Sequence, residues 1–250
     1  MRFAKLHGLG NDFVLLDFRQ GGRAISPQRV LELCDRNRGI GADGVLTLLE
    51  GDRMLVQNAD GSVPEMCGNG ARCAALWVAT RGCTQPASAT VTLNTDAGPR
   101  PCAVEAREPR SGLVSVEMGM ARFEPERTVG GFAALPVSMG NPHRVIFGEP
   151  RLAAEVGARL CREENANIEF ARRVGPQRYE VAVYERGAGL TQACGTGACA
   201  AAAAAVARGE ASRGQDITVK LPGGELTVRI DAENAVRMTG PAELVFIGEL

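Results

Sequence analysis

The stretch Cys194-Gly195-Thr196-Gly197-Ala198-Cys199, followed by the six alanines 200–205, has a second copy in the chain at Cys67-Gly68-Asn69-Gly70-Ala71. The offset, 194 − 67 = 127, holds without a gap from Cys67 to Gly82 and from Cys194 to Gly209, with the same residue at eight of the sixteen positions. This is a duplication, and both copies begin with a thiol. In each, the cysteine stands where an alanine-rich helix starts, and Gly82 or Gly209 is placed to close that helix as a C-terminal cap. Each thiol is therefore expected at a helix N-terminus. There, unpaired N–H groups and a fractional positive charge stabilise an anion and lower a cysteine pKa from about 8.5 toward roughly 3.5–7.5. The glycines let a ligand approach the backbone, and the N–H groups behind them form a cradle for a carboxylate or phosphate. Two such ends imply two bases acting on one bound anion.

Outward from these helices the repeat continues. Asn58 and Glu185 each lie nine residues before their cysteine (67 − 58 = 194 − 185 = 9), each after a strand, Met54 to Gln57 and Tyr179 to Tyr184. Strands at Val91-Thr92-Leu93 and Ile217-Thr218-Val219 follow the helices. Gly10-Asn11 matches Gly140-Asn141, each leading into an apolar strand. Ser26-Pro27 starts an amphipathic helix, Ser as cap and Pro at the first position, expected to run to about Arg38. A surface helix from Pro150 to Cys161 mirrors it. Between helix and strand, Gly39-Ile40-Gly41-Ala42-Asp43-Gly44 has the letters of a dinucleotide loop in the wrong order of elements, so it reads as a structural turn. Each half is expected to close on a strand ending near Gly119 or Gly240. The reading is an α+β duplication, many short strands packed around one apolar helix per half. The halves are 1–121, carrying Cys67, and 122–240, carrying Cys194, with 241–250 returning to the first half as one more strand.

Composition narrows the class. The formal net charge is −1, which points neither to nucleic acid nor to an anionic membrane as partner. No stretch approaches eighteen unbroken apolar residues and Met1 to Lys5 lacks a signal-peptide core, so a cytoplasmic protein is expected. Eight cysteines in 250 residues are too few for a disulfide scaffold. No Cys-x-x-Cys occurs and only His7 and His143 could add imidazole, so no metal site is expected. Cys34, Cys73, Cys83, Cys102, Cys161 and Cys199 are assigned to packing. Lys5 and Lys220 are the only lysines, and neither has the setting of a pyridoxal phosphate Schiff base, so any racemase-type chemistry would be cofactor-free.

Five motifs in order, Gly8-Leu9-Gly10-Asn11-Asp12-Phe13, Asn58-Ala59-Asp60-Gly61-Ser62, Met66-Cys67-Gly68-Asn69-Gly70-Ala71-Arg72-Cys73, Gly140-Asn141-Pro142-His143 and Glu185-Arg186-Gly187-Ala188-Gly189 through Gln192-Ala193-Cys194-Gly195-Thr196-Gly197, resemble diaminopimelate epimerase over the whole chain. The resemblance implies two pseudo-symmetric domains, each a barrel-like sheet around a central helix, with the active site between them. It implies cofactor-independent inversion of LL-2,6-diaminopimelate to the meso form, on the route to lysine and peptidoglycan. By the same resemblance Cys67 and Cys194 are the acid/base pair, and Gly68, Asn69, Gly195 and Thr196 hold the reacting carboxylate. Asn11, Asn58, Asn141, Asn167, Glu185 and Arg186 position the substrate, while His143 and Glu185 tune the thiols. Asn37 and Ala166 depart from the family's pattern.

Inversion of a carbon centre removes a proton from one face and returns one to the other, which one thiolate and one thiol accomplish in a single passage. Rival readings are another amino-acid racemase of the proline, hydroxyproline or histidine type, a dithiol redox protein, and a carboxylate-binding protein. Phenazine-pathway isomerases share the fold family but lack the paired thiols. The expected partners are a small amino acid and at most a second copy of the chain, as a homodimer.

Overall fold

The computed structural model of the chain describes residues 1–64, 66–80, 88–108 and 110–250. They form two compact units, Met1–Val116 with Gly240–Leu250, and Glu117–Thr239.

In the first unit, β1 (Arg2–Gly8) and β2 (Asn11–Asp17) form an antiparallel hairpin. Helix α1 (Pro27–Cys34) leads to β3 (Gly44–Leu49), parallel to β2, which turns back into β4 (Arg53–Asn58). Helix α2 (Gly68–Thr80) leads to β5 (Ser88–Thr95), parallel to β4, and β6 (Gly98–Glu108) and β7 (Ser111–Met120) follow antiparallel. After the short strands β8 (Arg122–Phe123) and β9 (Arg127–Val129), the second unit repeats the scheme. Strands β10 (Phe132–Ser138) and β11 (Pro142–Phe147) pair antiparallel, and α3 (Leu152–Glu164) leads to β12 (Asn167–Gly175), parallel to β11. Strand β13 (Arg178–Glu185) turns back on β12, and β14 (Gly189–Leu190) folds against it. Helix α4 (Gly195–Ala207) leads to β15 (Ile217–Leu221), parallel to β13, then β16 (Gly224–Ile230) and β17 (Ala235–Glu249) follow antiparallel. Both units thus run antiparallel, parallel, antiparallel, parallel, antiparallel, antiparallel, with a helix inside each parallel crossover.

The last strand closes the first unit's sheet. Residues 243–249 of β17 pair with β1, and β17 also pairs with β7, where the Leu244 N–H donates to the Arg110 carbonyl at 2.7 Å. The first unit's sheet is therefore a closed ring of the eight strands β1–β7 and β17. In the second, Arg237 on β17 pairs with Glu117 on β7 at 2.6 Å, and β8, one residue past β7, pairs with β10. An eight-stranded ring has room inside for side chains and little more, so a helix there must be thin. Of the thirteen residues of α4 only Thr196 and Ala207 are not buried, and Ala200 to Ala205 are fully so. Alanine at every turn gives a helix apolar on all sides and narrow enough for strands β10 to β13, β15 and β16 to pack against it. Helices α1 and α3 cover the outside of their sheets: Val30 and Leu33 pack on Val14, Leu16 and Val45, and Ala153 and Leu160 on Ile146, Ile168 and Phe170. Among the described residues no helix is long and apolar enough to cross a membrane.

Some boundaries differ from expectation. Helix α1 ends at Cys34, a turn before Arg38, because Asp35 leaves helical geometry and its Oδ1 accepts from the Asn37 and Arg38 N–H groups at 2.8 and 3.0 Å. Gly39 then folds back so closely that a Cβ there would stand 2.1 Å from the Glu32 carbonyl oxygen, and the Ile40 and Gly41 N–H groups cap Leu33 at 3.0 Å each. The outer helix of the second half runs from Leu152 to Glu164 instead of Pro150 to Cys161. The tail is not a separate strand: β17 continues unbroken through Gly240 and Pro241. Gly209 does follow α4 with φ +72°, whereas Gly82 and Cys83 lie outside the described residues.

Candidate active site

Each central helix begins at a cysteine. Cys194 is the N-cap of α4 and its sulfur accepts the Gly197 N–H at 3.3 Å; the Cys67 sulfur accepts the Gly70 N–H at 3.4 Å. Gly68 and Gly195 are the first residues of α2 and α4. Two residues past each cysteine, the side chain reaches the turn that opens the unit. The Asn69 amide donates to Asn11 Oδ1 at 3.0 Å, and the Asn141 amide donates to Thr196 Oγ1 at 3.5 Å. The repeated letters thus become a repeated contact, from helix start to hairpin.

Around Cys67 the polar scaffold is built from residues the sequence reading passed over. Asp43, in the glycine-rich loop read as merely structural, accepts the Asn11 amide at 2.8 Å and the Asp12 N–H at 3.1 Å, and its carbonyl takes the Ala59 N–H at 2.9 Å. It thereby ties Asn11 to the Asn58 turn, where the Asn58 amide donates to Ser62 Oγ at 2.9 Å. Arg72, fully buried, donates to Asn69 Oδ1 at 3.0 Å and to the Pro241 carbonyl at 3.1 Å, fixing the asparagine from behind. A guanidinium one turn into an otherwise apolar helix was the available signal.

Asp12 sits at the centre of this scaffold. Burial pushes its carboxyl up, but hydrogen bonds from Arg36 and Lys5, with the Lys5 charge and Asp43, outweigh it and bring it to about 2. A carboxylate held below its ordinary 3.8 stabilises the fold above that value, and the contribution is lost as pH falls from about 4 through about 2. Asp12→Asn is therefore expected to lower the melting temperature at pH 7 and to flatten its fall between pH 4 and 2. Thermal melts across that range check this, and an unchanged acid limb would refute it.

Around Cys194 the setting is different. Glu185 accepts a hydrogen bond from the Thr191 hydroxyl, and its own carboxyl is raised, by burial first. His143, fully buried, contacts Glu169 Oε1 at 2.6 Å through Nδ1 and Asn141 Oδ1 at 2.9 Å through Nε2. Asn167 Oδ1 accepts the Arg186 N–H at 2.8 Å, while the exposed Arg186 guanidinium rests on the carbonyl and side-chain oxygens of Asn165 at 3.3 Å each. Asn141, His143, Cys194 and Thr196 thus form one connected group, with the Glu185 charge acting on its sulfur; Asn167 and Arg186 form a second pair.

The expectation of a lowered thiol pKa fails at Cys194. Burial pushes it well above the ordinary range, and the Glu185 and Glu169 carboxylates add to this, outweighing the Thr196 hydroxyl and the Gly197 N–H. The residue is 3% exposed. A helix end supplies about half a positive charge, too little against lost hydration and two whole negative ones. Burial likewise pushes Cys73 up to about 12 and Cys34 to about 11, as suits packing thiols. Cys102, Cys161 and Cys199 are also buried. Among the described residues no group of three or more His, Cys, Asp and Glu could hold a metal ion.

A family model described as diaminopimelate epimerase matches residues 3–124 and 135–245. The chain is 39% identical to the diaminopimelate epimerase of Synechococcus elongatus over all of this chain and 98% of that protein. It is 41% identical to that of Xanthomonas campestris pv. campestris, over all of this chain and 96% of the relative. In fold it resembles a predicted epimerase of Pseudomonas aeruginosa (TM-score 0.78, 17% identity, covering 100% and 98% of the two chains). It also resembles a hydroxyproline epimerase of Agrobacterium vitis with bound trans-4-hydroxy-L-proline (TM-score 0.74, 16% identity, covering 99% and 91%).

Proposed function

The chain belongs to the diaminopimelate epimerase family, and on that premise we propose that it inverts one α-carbon of LL-2,6-diaminopimelate to give the meso form, using Cys67 and Cys194 as its two proton-transfer groups. The observation that carries this reading is the pair of helix-start sulfurs, each accepting the N–H three residues on, at 3.4 and 3.3 Å. One thiolate takes the α-hydrogen and the other sulfur, as thiol, gives a proton to the opposite face; two protons move, and no electrons are exchanged. Cys194, buried and facing the negative charge of Glu185, suits the thiol role, which leaves the thiolate role to Cys67. A positioned acid or base contributes about 10²–10⁴ in rate, and an amino acid's α-hydrogen is too weakly acidic for that alone. Gly68, Asn69, Gly195 and Thr196, at helix starts, are proposed to stabilise the charge that develops on the reacting carboxylate. Asn11, Asn58, Asn141, Asn167, Glu185 and Arg186 are proposed to position the substrate, Arg186 being suited to a bidentate grip on the distal carboxylate. His143 and Glu185 are proposed to tune the Cys194 thiol.

The chemistry proposed needs no pyridoxal phosphate. Lys5 is 8% exposed and held by Asp12 and the Gly41 carbonyl, and Lys220 pairs with Glu180 at 3.0 Å, so neither lysine is placed for a Schiff base. Incubation in heavy water is expected to put deuterium on the α-carbon of LL- and meso-diaminopimelate, and none on proline or hydroxyproline. Exchange into another amino acid with none into diaminopimelate would sink the reading.

A further inference from the structure

The two thiol sites occupy equivalent places in equivalent sheets, yet one pair of inward residues has been replaced. Strand β2 opposes Phe13 to Gly44 of β3, and β11 opposes His143 to Asn167 of β12. Counting on two residues along β3 and β12, Leu46 holds in the first unit the position that Glu169 holds in the second, as Phe13 answers to His143. The contacts agree: a Cβ on Gly70 would meet Leu46 at 2.8 Å, and a Cβ on the matching Gly197 would meet Glu169 Oε1 at 3.0 Å and the Cys194 sulfur at 3.1 Å. An apolar Phe–Leu pair beside Cys67 has therefore become an imidazole–carboxylate pair beside Cys194. Glu169 is fully buried, its Oε1 lies 2.6 Å from His143 Nδ1, and its Oε2 makes no hydrogen bond. A buried carboxylate is costly to keep with an oxygen unsatisfied, and Leu46 shows that the fold does not require one there.

We propose that Glu169 is a positioning residue for Cys194: locked in place by His143, its carboxylate holds the neighbouring sulfur in the sulfhydryl form and so makes it the proton donor of the pair. The carboxylate is the end of the pair set beside the sulfur, since Glu169 Oε1 and the Cys194 sulfur stand 3.0 and 3.1 Å from the one point where a Gly197 Cβ would lie. The charged and titratable groups around it are Glu185 on β13, His143 on β11 and Cys161 on α3, with Arg186 beyond, and the Thr196 hydroxyl and Gly197 N–H at the start of α4. With glutamine in place of Glu169, the negative charge beside the sulfur is gone, so the thiolate is disfavoured less. The role as proton donor rests on the epimerase reading.

The test is alkylation of the full chain by iodoacetamide at pH 8.5, with peptide mass spectrometry reporting Cys194 separately. Below its pKa a thiol reacts in proportion to its ionised fraction. Glu169→Gln, which matches the glutamate in shape, is expected to speed Cys194 alkylation about three- to tenfold, a larger thiolate fraction being partly offset by lower nucleophilicity. Cys199, buried five residues along α4, is expected to keep its rate. An unchanged or slower Cys194 overturns the proposal, and so does a parallel rise at Cys199, which would mean looser packing. If Glu169→Gln does not fold, Glu169→Asp draws the charge back by one methylene and is expected to give about a twofold acceleration; no acceleration there overturns it as well. The readout needs no turnover, so failure of the diaminopimelate exchange assay and failure of this proposal remain distinct results.

Discussion

Replacing Cys67 or Cys194 by alanine is expected to lower kcat for diaminopimelate epimerisation by about 10²–10⁴-fold in both directions, with the melting temperature little changed. In the proposed reaction one passage uses both sulfurs, one as acceptor and one as donor, so neither epimer would escape the loss of either group. The size follows from what a positioned acid or base supplies, about 10²–10⁴ in rate. The fold should tolerate the change, because Cys67 is only partly buried and Cys194 gives its helix one N–H contact at 3.3 Å. Residual chemistry should differ in kind: a variant that keeps one sulfur can still exchange the α-hydrogen it reaches, but cannot invert the centre. Serine is expected to fare little better than alanine, since a hydroxyl is far less acidic than a thiol. Chiral chromatography of the products together with deuterium exchange separates these outcomes. More than a tenth of wild-type inversion in either alanine variant would end the two-base account.

Gly197→Ala is the second large effect, expected to cost about 10² in kcat while leaving stability within about 1 kcal/mol. Alanine favours a helix interior over glycine by roughly 0.5–1 kcal/mol, which offsets part of the crowding. The added methyl has nowhere to go: its Cβ would stand 3.0 Å from Glu169 Oε1 and from Val183 Cγ2, and 3.1 Å from the Cys194 sulfur. The strand pair β12–β13 holds the first two, so the sulfur must move, and displacement of a catalytic group by around 1 Å can cost about 10²-fold. Gly70→Ala makes the control. There the nearest obstacle is the flexible end of Leu46 at 2.8 Å, and the Cys67 sulfur is 3.6 Å away, so a loss of less than tenfold is expected. Equal losses in the two variants, measured as kcat with melting curves alongside, would show that the methyl acts in some other way.

The comparison of these glycines marks where sequence reading stops. The letters around Cys67 and Cys194 determine by themselves that the chain is duplicated, that each half buries an apolar helix, and that each helix begins at a thiol. Those conclusions rest on periodicity, on small residues and on spacing within a few turns, which are local properties. The polar residues Asn58 and Glu185 were legible for the same reason, as members of the repeat at one fixed distance. Residues with no like counterpart in the other half were not. Asp43, Arg72 and Glu169 take their meaning from neighbours in other strands and helices: Asp43 from Asn11, Arg72 from Pro241, Glu169 from His143. A carboxylate between Ile168 and Phe170 reads as an ordinary strand residue until the parallel register of β11 and β12 turns it inward. The acidity of Cys194 shows the same limit, because a helix end is written in the sequence whereas burial and the two carboxylates that outweigh it are assembled only by strand pairing. Local pattern thus determined the scaffold and where its sulfurs stand; tertiary packing decided what each sulfur feels, since charge and desolvation act through space and not along the chain.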